Sequence, residues 1–182
     1  SVQWTITKTA ENPPVVTPGT PVRDNPAQSA APATIAQPEP AGVVAGASLT
    51  VAGNTYQVLT VDGTKTVAIT GADKKAAKVA IPQTIQFNGE LFTVTSIAAN
   101  AFKNCKKLKT VVIPKTVTAI GKNAFSGAKN LKKITIQGTA LTSICKNAFK
   151  NVNKKAVTKV AKSKKKAYKK LLKKAGYKGK VK

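Results

Sequence analysis

The chain has 182 residues, with 31 basic and 6 acidic residues, no histidine and a formal net charge of +25 at pH 7. The absence of histidine excludes a histidine general base, a nucleophile–histidine pair and an imidazole metal ligand. All six acidic residues precede Leu91 and none lies near another in sequence, so a catalytic pair of carboxylates is not expected. We therefore predict a protein that is not an enzyme and that needs no metal or cofactor.

The charge is divided unevenly along the chain. Residues 1–90 contain six acidic and six basic residues, whereas residues 91–182 contain 25 lysines and no acidic residue. Arg23 is the only arginine, so the basic half consists of lysine alone. A segment with this charge attracts polyanions at low salt. No apolar run approaches the ~20 residues that a membrane span requires, so no transmembrane segment is predicted.

The first 47 residues differ in composition from the rest of the chain. Residues 1–9 alternate around Val2, Trp4 and Ile6, which fits either a half-buried strand or a disordered stub. Residues 11–47 contain eight of the ten prolines and few large apolar side chains. This composition predicts a semi-extended linker, with a proline-recognition ligand as the alternative.

Short strand patterns begin near Ala47. Turn residues separate runs at 49–51, 56–61 and 66–70, which predicts a β-hairpin or meander. The later sequence "FNGELF" predicts another hairpin, with Asn88 and Gly89 at its turn.

The tripeptide Asn-Ala-Phe occurs three times, with its aromatic residue at Phe102, Phe125 and Phe149, which are 23 and 24 residues apart. A fixed period in this range is typical of a solenoid, in which each unit is covered by its neighbours. The full units 97–119 and 120–143 each contain Leu-x-x-Val/Ile-x-Ile, whose last three residues predict a strand. A third unit begins at Ile144, and its pattern ends in lysines. The predicted core residues are Phe102, Phe125, Phe149, Leu108, Leu131, Ile113 and Ile136.

The last 22 residues predict a lysine-covered helix that caps the stack. Apolar residues from Ala167 to Ala175 form one stripe, Ser163 is the predicted N-cap and Gly176 the predicted residue after the helix. Repeat arrays need a terminal unit with a polar outer face, and this helix suits that role.

The segment "IGKNAFSGAKNLKKITI", which begins at Ile120, resembles the BspA-like class of bacterial surface leucine-rich repeats. "KVAIPQTI" at 78–85 is similar to the start of such an array and aligns with "TVVIPKTV" at 110–117. Ala98 and Cys145 depart from the glycine that is usual in this pattern. The resemblance covers the last 105 residues or so and implies a curved solenoid on a secreted or cell-surface bacterial protein, with a binding or adhesion role and no particular ligand.

The predicted fold is a β-rich α/β solenoid, made of a short leucine-rich-repeat array with a small β region at its start and a C-terminal capping helix. Its organisation is predicted as a strand-like end of an upstream module (1–10), a Pro/Ala-rich linker (11–47), an N-terminal β cap region (48–96), leucine-rich repeats (97–160), and a lysine-rich capping helix and tail (161–182).

Two sets of residues are candidates for binding. Strand residues expected to point away from the core are Thr110, Val112, Lys133 and Thr135. Lysines of the tail that could bind a polyanion are Lys164, Lys165, Lys166, Lys169, Lys170, Lys173 and Lys174. For both sets the alternative is an ordinary solvent-exposed surface, and lysine stems of the tail could simply cover apolar groups. Cys105 and Cys145 are predicted to be buried, unreactive and unpaired, because they occupy different positions of different units.

Three functions fit this sequence. The first is a non-catalytic, secreted or cell-surface binding or adhesion module whose partner is a host or envelope glycan or protein. The second is an electrostatic anchor to anionic cell-wall polymers, and the third is an accessory tail of a larger secreted enzyme. Nucleic acid is not an expected partner, because the tail contains no arginine and only Tyr168 and Tyr177 as aromatic residues. An interfacial helix on anionic lipid is a further alternative. We expect an extracellular monomer.

Overall fold

The computed structural model describes residues 42–182. The predicted strand at 1–10 and the linker up to residue 41 lie outside these residues. The described part contains these elements in chain order: β1 (Ser48–Val51), β2 (Asn54–Thr60), β3 (Thr66–Gly71), β4 (Lys78–Ala80), β5 (Thr84–Phe87), β6 (Glu90–Ile97), β7 (Thr110–Ile113), β8 (Ala119–Ile120), β9 (Lys133–Ile136), β10 (Ser143–Ile144), β11 (Val157–Lys159), a 3₁₀ helix (Lys162–Lys164), α1 (Lys165–Lys174) and β12 (Lys180–Val181).

The first sheet begins as an antiparallel meander. Strands β1, β2 and β3 pair antiparallel, and β5 pairs antiparallel with β6. The predicted turn at Asn88 and Gly89 is confirmed, because Phe87 pairs with Glu90 and both turn residues have positive φ, +50° and +77°. Positive φ at both residues of a two-residue loop is what a type I′ hairpin turn requires, and Asn-Gly adopts these values readily. Val43 and Ala47, at the end of the predicted linker, pack against the core.

The sheet then continues with parallel strands, one from each repeat. Strand β6 pairs with β3 and β8, and β8 pairs with β10, all in parallel. The register aligns Ile97 with Ile120 and Ile120 with Ile144. All three isoleucines are buried, so they form one column in the core.

The second sheet is parallel throughout, in the order β12-β11-β9-β7-β4. The alignment of 78–85 with 110–117 is confirmed, because Val79 pairs with Val111 and Val111 with Ile134. Leu108, Leu131, Ile113 and Ile136 are buried beneath this sheet.

The third unit is more complete than the sequence pattern predicts. Its segment 157–159 forms β11 in register with β9, and the chain end adds β12 as a fifth strand. The apolar pattern alone did not identify this strand, because its inward residue is Thr158, aligned with Ile134 and fully buried. A polar residue at a core position hides the strand from a search for apolar alternation.

The three repeated phenylalanines form one continuous stack in the core. The ring centroids of Phe102 and Phe125 are 4.9 Å apart, and those of Phe125 and Phe149 are 5.1 Å apart, with nearly parallel planes. Tyr177 packs edge-on against Phe149 at 5.9 Å and ends the stack. All four aromatic side chains are at most 5% exposed. The predicted column is therefore extended by one aromatic residue from the C-terminal segment.

Helix α1 closes the last repeat, although its start differs from the prediction. Ser163 lies within the preceding 3₁₀ helix, and the residue before α1 is Lys164, which makes no side-chain cap hydrogen bond. The end is as predicted: Gly176 has φ +85°, its N–H donates to the Lys173 carbonyl, and the next N–H donates to Leu172. These two bonds are those of a Schellman C-cap. Ala167 is exposed and not part of the buried stripe.

Two aromatic hydroxyls fasten this C-terminal segment to the repeats. The Tyr168 hydroxyl donates to the Gly138 carbonyl at 3.1 Å and accepts from the Leu141 N–H at 3.2 Å. The Tyr177 hydroxyl donates to the Ala156 carbonyl at 2.8 Å. Because both hydroxyls are buried, these bonds satisfy groups whose burial would otherwise be costly.

Candidate functional site

The outward face of the second sheet brings the four predicted strand residues together. Thr110 lies beside Lys133, and Val112 lies beside Thr135, on the neighbouring strands β7 and β9. Lys133 is exposed and the other three side chains are half-buried, while the alternate residues point into the core. Because paired strands lie ~4.8 Å apart, the four side chains form one patch.

The patch continues onto strands that sequence reasoning did not use. Lys78 precedes Thr110 in the first row, and Val157 and Lys180 follow Lys133. The second row runs from Ala80 through Val112 and Thr135 to Lys159. We call these two rows the sheet face. Alternation in "AVTKV" could have identified Val157 and Lys159, but the polar Thr158 obscured it.

The seven candidate lysines of the tail are all exposed. Among residues 42–182, the ion pair recorded is between Lys65 and Glu90, outside the basic half. No acidic side chain is available after Glu90 to neutralise a lysine. The C-terminal half therefore presents an uncompensated positive surface, which attracts anions over about a Debye length.

The two cysteines have different environments. Cys105 is buried, and burial raises the pKa of its thiol more than the nearby Lys74 lowers it. Cys145 is exposed, so the prediction that both thiols are buried was wrong for this residue. The reason is that β10 is the last strand of its sheet, and no further repeat covers the residue that follows it. Both cysteines are free, in agreement with the prediction.

Thiol labelling should therefore distinguish the two residues. In the folded chain we expect one fast reaction with a disulfide reagent at pH 8, at Cys145, and a second only after denaturation, because the thiolate is the reactive form and Cys105 is both covered and harder to ionise. The variant Cys145→Ser should lose the fast phase and Cys105→Ser should keep it. Two fast thiols in the native chain would contradict this arrangement.

The described residues contain no cluster of three or more histidine, cysteine or acidic side chains that could hold a metal ion. Within the same residues, no helix has the length and apolar character needed to span a membrane.

The stack of parallel strands, one from each repeat and all in register, defines a leucine-rich-repeat protein. The family described as the BspA type leucine rich repeat region matches residues 79–174 in 6 copies. This match covers more than half of the chain, so the chain belongs to the BspA-type leucine-rich-repeat family. The 6 copies exceed the two full units predicted, which is consistent with strands β4 and β11 extending the second sheet on either side of these units.

Two solved structures show the same β-rich fold. A leucine-rich repeat protein from Bacteroides capillosus is similar at 24% identity and a TM-score of 0.52, over 64% of this chain and 83% of that protein. A leucine rich cell surface protein from Faecalibacterium prausnitzii is similar at 23% identity and a TM-score of 0.52, over 65% of this chain and 38% of that protein. Among curated proteins, no match to the chain is found.

Proposed function

We propose that the chain is a non-catalytic binding module of a secreted or cell-surface bacterial protein, in which the stacked repeats form a short solenoid capped by α1. The observation that carries this proposal is the open sheet face, where side chains from parallel strands stand in register. Membership of a family of bacterial surface repeats supports the location. So does the likeness to a protein described as a cell surface protein.

The sheet face has the composition of a recognition surface. Thr110 and Thr135 offer hydroxyls, Val112 and Val157 offer apolar contact, and lysines frame the rows. Each side chain is held by a strand whose alternate residues are buried, so the face is rigid before a ligand arrives. Preorganised surfaces lose less conformational entropy on binding. A glycan or protein of the host or envelope is the partner that this surface suits.

One pair of substitutions tests the sheet face. The full chain should bind purified bacterial envelope or an array of neutral glycans, and the part of this binding that survives about 300 mM salt should fall about tenfold in Thr135→Glu. Thr139→Glu makes the same change of charge at an exposed position beyond β9 and should leave that binding within about twofold. Equal losses in both variants would remove the sheet face as the site, and cleavage of a glycan would contradict a non-catalytic module.

A second candidate function is the electrostatic anchor to anionic cell-wall polymers. The observation that favours it is the uncompensated positive surface of the C-terminal half, with 25 lysines and no acidic residue in 91–182. The same measurement separates the two candidates. Binding that is strong at about 50 mM salt and collapses at about 300 mM salt supports the anchor, because charge contacts with a polyanion weaken steeply with salt.

A further inference from the structure

Three neighbouring cavities that share lining residues lie where the last two repeats meet α1. A cavity of about 530 Å³ lies against Lys129, Lys154 and Lys155. It shares Asn151, Val152 and Lys154 with a cavity of about 290 Å³, which in turn shares Gly176 and Lys178 with a third cavity of about 550 Å³. We call these three cavities the C-terminal groove. Its charged lining residues are lysines in all three parts, and none is acidic.

We propose that the C-terminal groove binds an unbranched polymer of phosphodiester-linked, non-aromatic units, as in a wall teichoic acid. This inference rests on the anchor function and assigns it a site. A row of cavities joined by shared lining residues suits an extended ligand, and lysines in each part can meet successive anionic groups.

The lining suits the phosphates of such a polymer. Lysine binds phosphate as a point charge that needs no planar, two-pronged geometry, and lysines occur in all three parts of the groove. The backbone adds a donor. In the first two repeats, Asn104 and Gly127 donate their N–H groups to the carbonyls of the next repeat, Ser126 and Lys150. The equivalent N–H in the third repeat, that of Asn151, has no backbone acceptor within residues 42–182, and Asn151 is one of the residues that line the groove.

The aromatic content of the groove argues against nucleic acid. Binding of single strands relies on bases stacking on exposed aromatic rings. Tyr177 is the aromatic residue of the lining, and it is 5% exposed, packed on Phe149 and hydrogen-bonded to the Ala156 carbonyl. Its ring is therefore not available to stack on a base.

The groove divides the candidate lysines of the tail into two groups. Lys169 and Lys173 line it, one helical turn apart, whereas the other five predicted lysines do not appear in its lining. Lys166 and Lys170 are also one turn apart on α1 and exposed. The double variants Lys169→Gln/Lys173→Gln and Lys166→Gln/Lys170→Gln therefore remove the same charge from the same helix. Glutamine and lysine have similar helix propensities, so both variants should fold.

The test is calorimetric titration of the full chain with poly(glycerol phosphate) at about 0.15 M salt. We expect the groove variant to bind about tenfold more weakly, and the control variant to change by less than about threefold. The slope of log K against log salt should decrease by roughly 1.4 in the groove variant, since each lost contact contributes about 0.7. Circular dichroism checks that the helix is intact in both variants.

Each outcome bears on one claim. Equal weakening in both variants overturns the groove and leaves the anchor as a diffuse effect of charge. No binding by the unmodified chain overturns the anchor itself, and the groove with it. Hyaluronan, a polycarboxylate, or single-stranded poly(dT) bound as tightly as poly(glycerol phosphate), with the same response to the groove variant, would overturn the choice of a non-aromatic phosphodiester polymer.

Discussion

Replacement of Phe125 by alanine should lower the free energy of unfolding by about 3–5 kcal/mol, the largest effect we expect from a single substitution in the described part of the chain. The side chain is fully buried and lies between Phe102 and Phe149, with ring centroids 4.9 and 5.1 Å away. The alanine variant loses the transfer free energy of the ring and both aromatic contacts, and it leaves a cavity that rigid neighbouring repeats cannot fill. Urea denaturation of the full chain, followed by circular dichroism, measures the loss.

Two further substitutions make this prediction specific to the stack. Phe102 is equally buried but has a single stacked ring neighbour, so Phe102→Ala should cost less than Phe125→Ala by about 0.5–1.5 kcal/mol. Leu91 is 65% exposed, and Leu91→Ala should change stability by less than about 0.5 kcal/mol. If Phe125→Ala is unfolded without denaturant, Phe125→Leu provides a smaller truncation at the same site. A loss at Phe125 no greater than that at Leu91 would contradict the role of the stack.

The buried position of the three phenylalanines could be predicted from the sequence because the same residue recurs at the same place in each repeat. Phenylalanines that are 23 and 24 residues apart must occupy equivalent positions in stacked units, and the structure stacks their rings. The asparagine of the Asn-Ala-Phe tripeptide recurs for a different reason, its backbone conformation, which the composition does not reveal. Asn100, Asn123 and Asn147 have φ values of +61°, +56° and +63°, a conformation that asparagine tolerates better than most residues.

A second position in each turn also has a positive φ. Asn104, Gly127 and Asn151 stand two residues after the phenylalanines, and their φ values are +59°, +80° and +57°. Their alternation between asparagine and glycine is a sequence pattern that indicates a left-handed residue, although it could not be assigned without the backbone. Each turn thus needs one apolar residue to fill the core and two that reverse the chain around it.

The C-terminal end of the array was harder to predict because its last turn is built from residues that differ from those of the other repeats. Helix α1 and the segment after it lack the Asn-Ala-Phe tripeptide of the repeats, yet the Ala175 carbonyl accepts from the Phe149 N–H. The Ala124 and Ala148 carbonyls accept in the same way from Phe102 and Phe125. The C-terminal segment thus supplies the groups of a fourth turn through a helix end. The C-terminal groove lies beside the segment that takes the place of a fourth repeat turn, so a comparison of the repeats with one another could not locate it.

Gly121 provides the second large effect, because two repeats approach each other closely at this residue. An ideal Cβ at this residue would lie 2.5 Å from the Ala99 nitrogen and 2.6 Å from the Ala98 carbonyl carbon of the preceding repeat. These are backbone atoms, and the Ala98 N–H is held by a hydrogen bond to the Ile69 carbonyl, so they cannot move aside as a flexible side chain could. Gly121→Ala should therefore force the two repeats apart and lower the free energy of unfolding by about 3 kcal/mol.

Gly71→Ala is the matched control, because its added Cβ would meet only the Ala101 carbonyl oxygen, at an ordinary contact distance of 3.8 Å. We expect that variant to stay within about 1 kcal/mol of the parent chain in the same urea titration. If Gly121→Ala were as stable as Gly71→Ala, the spacing between repeats would have to be looser than the structure indicates. If Gly121→Ala alone is destabilised, the glycine at this position is required by backbone contact with the preceding repeat, and conformational freedom has no part in it.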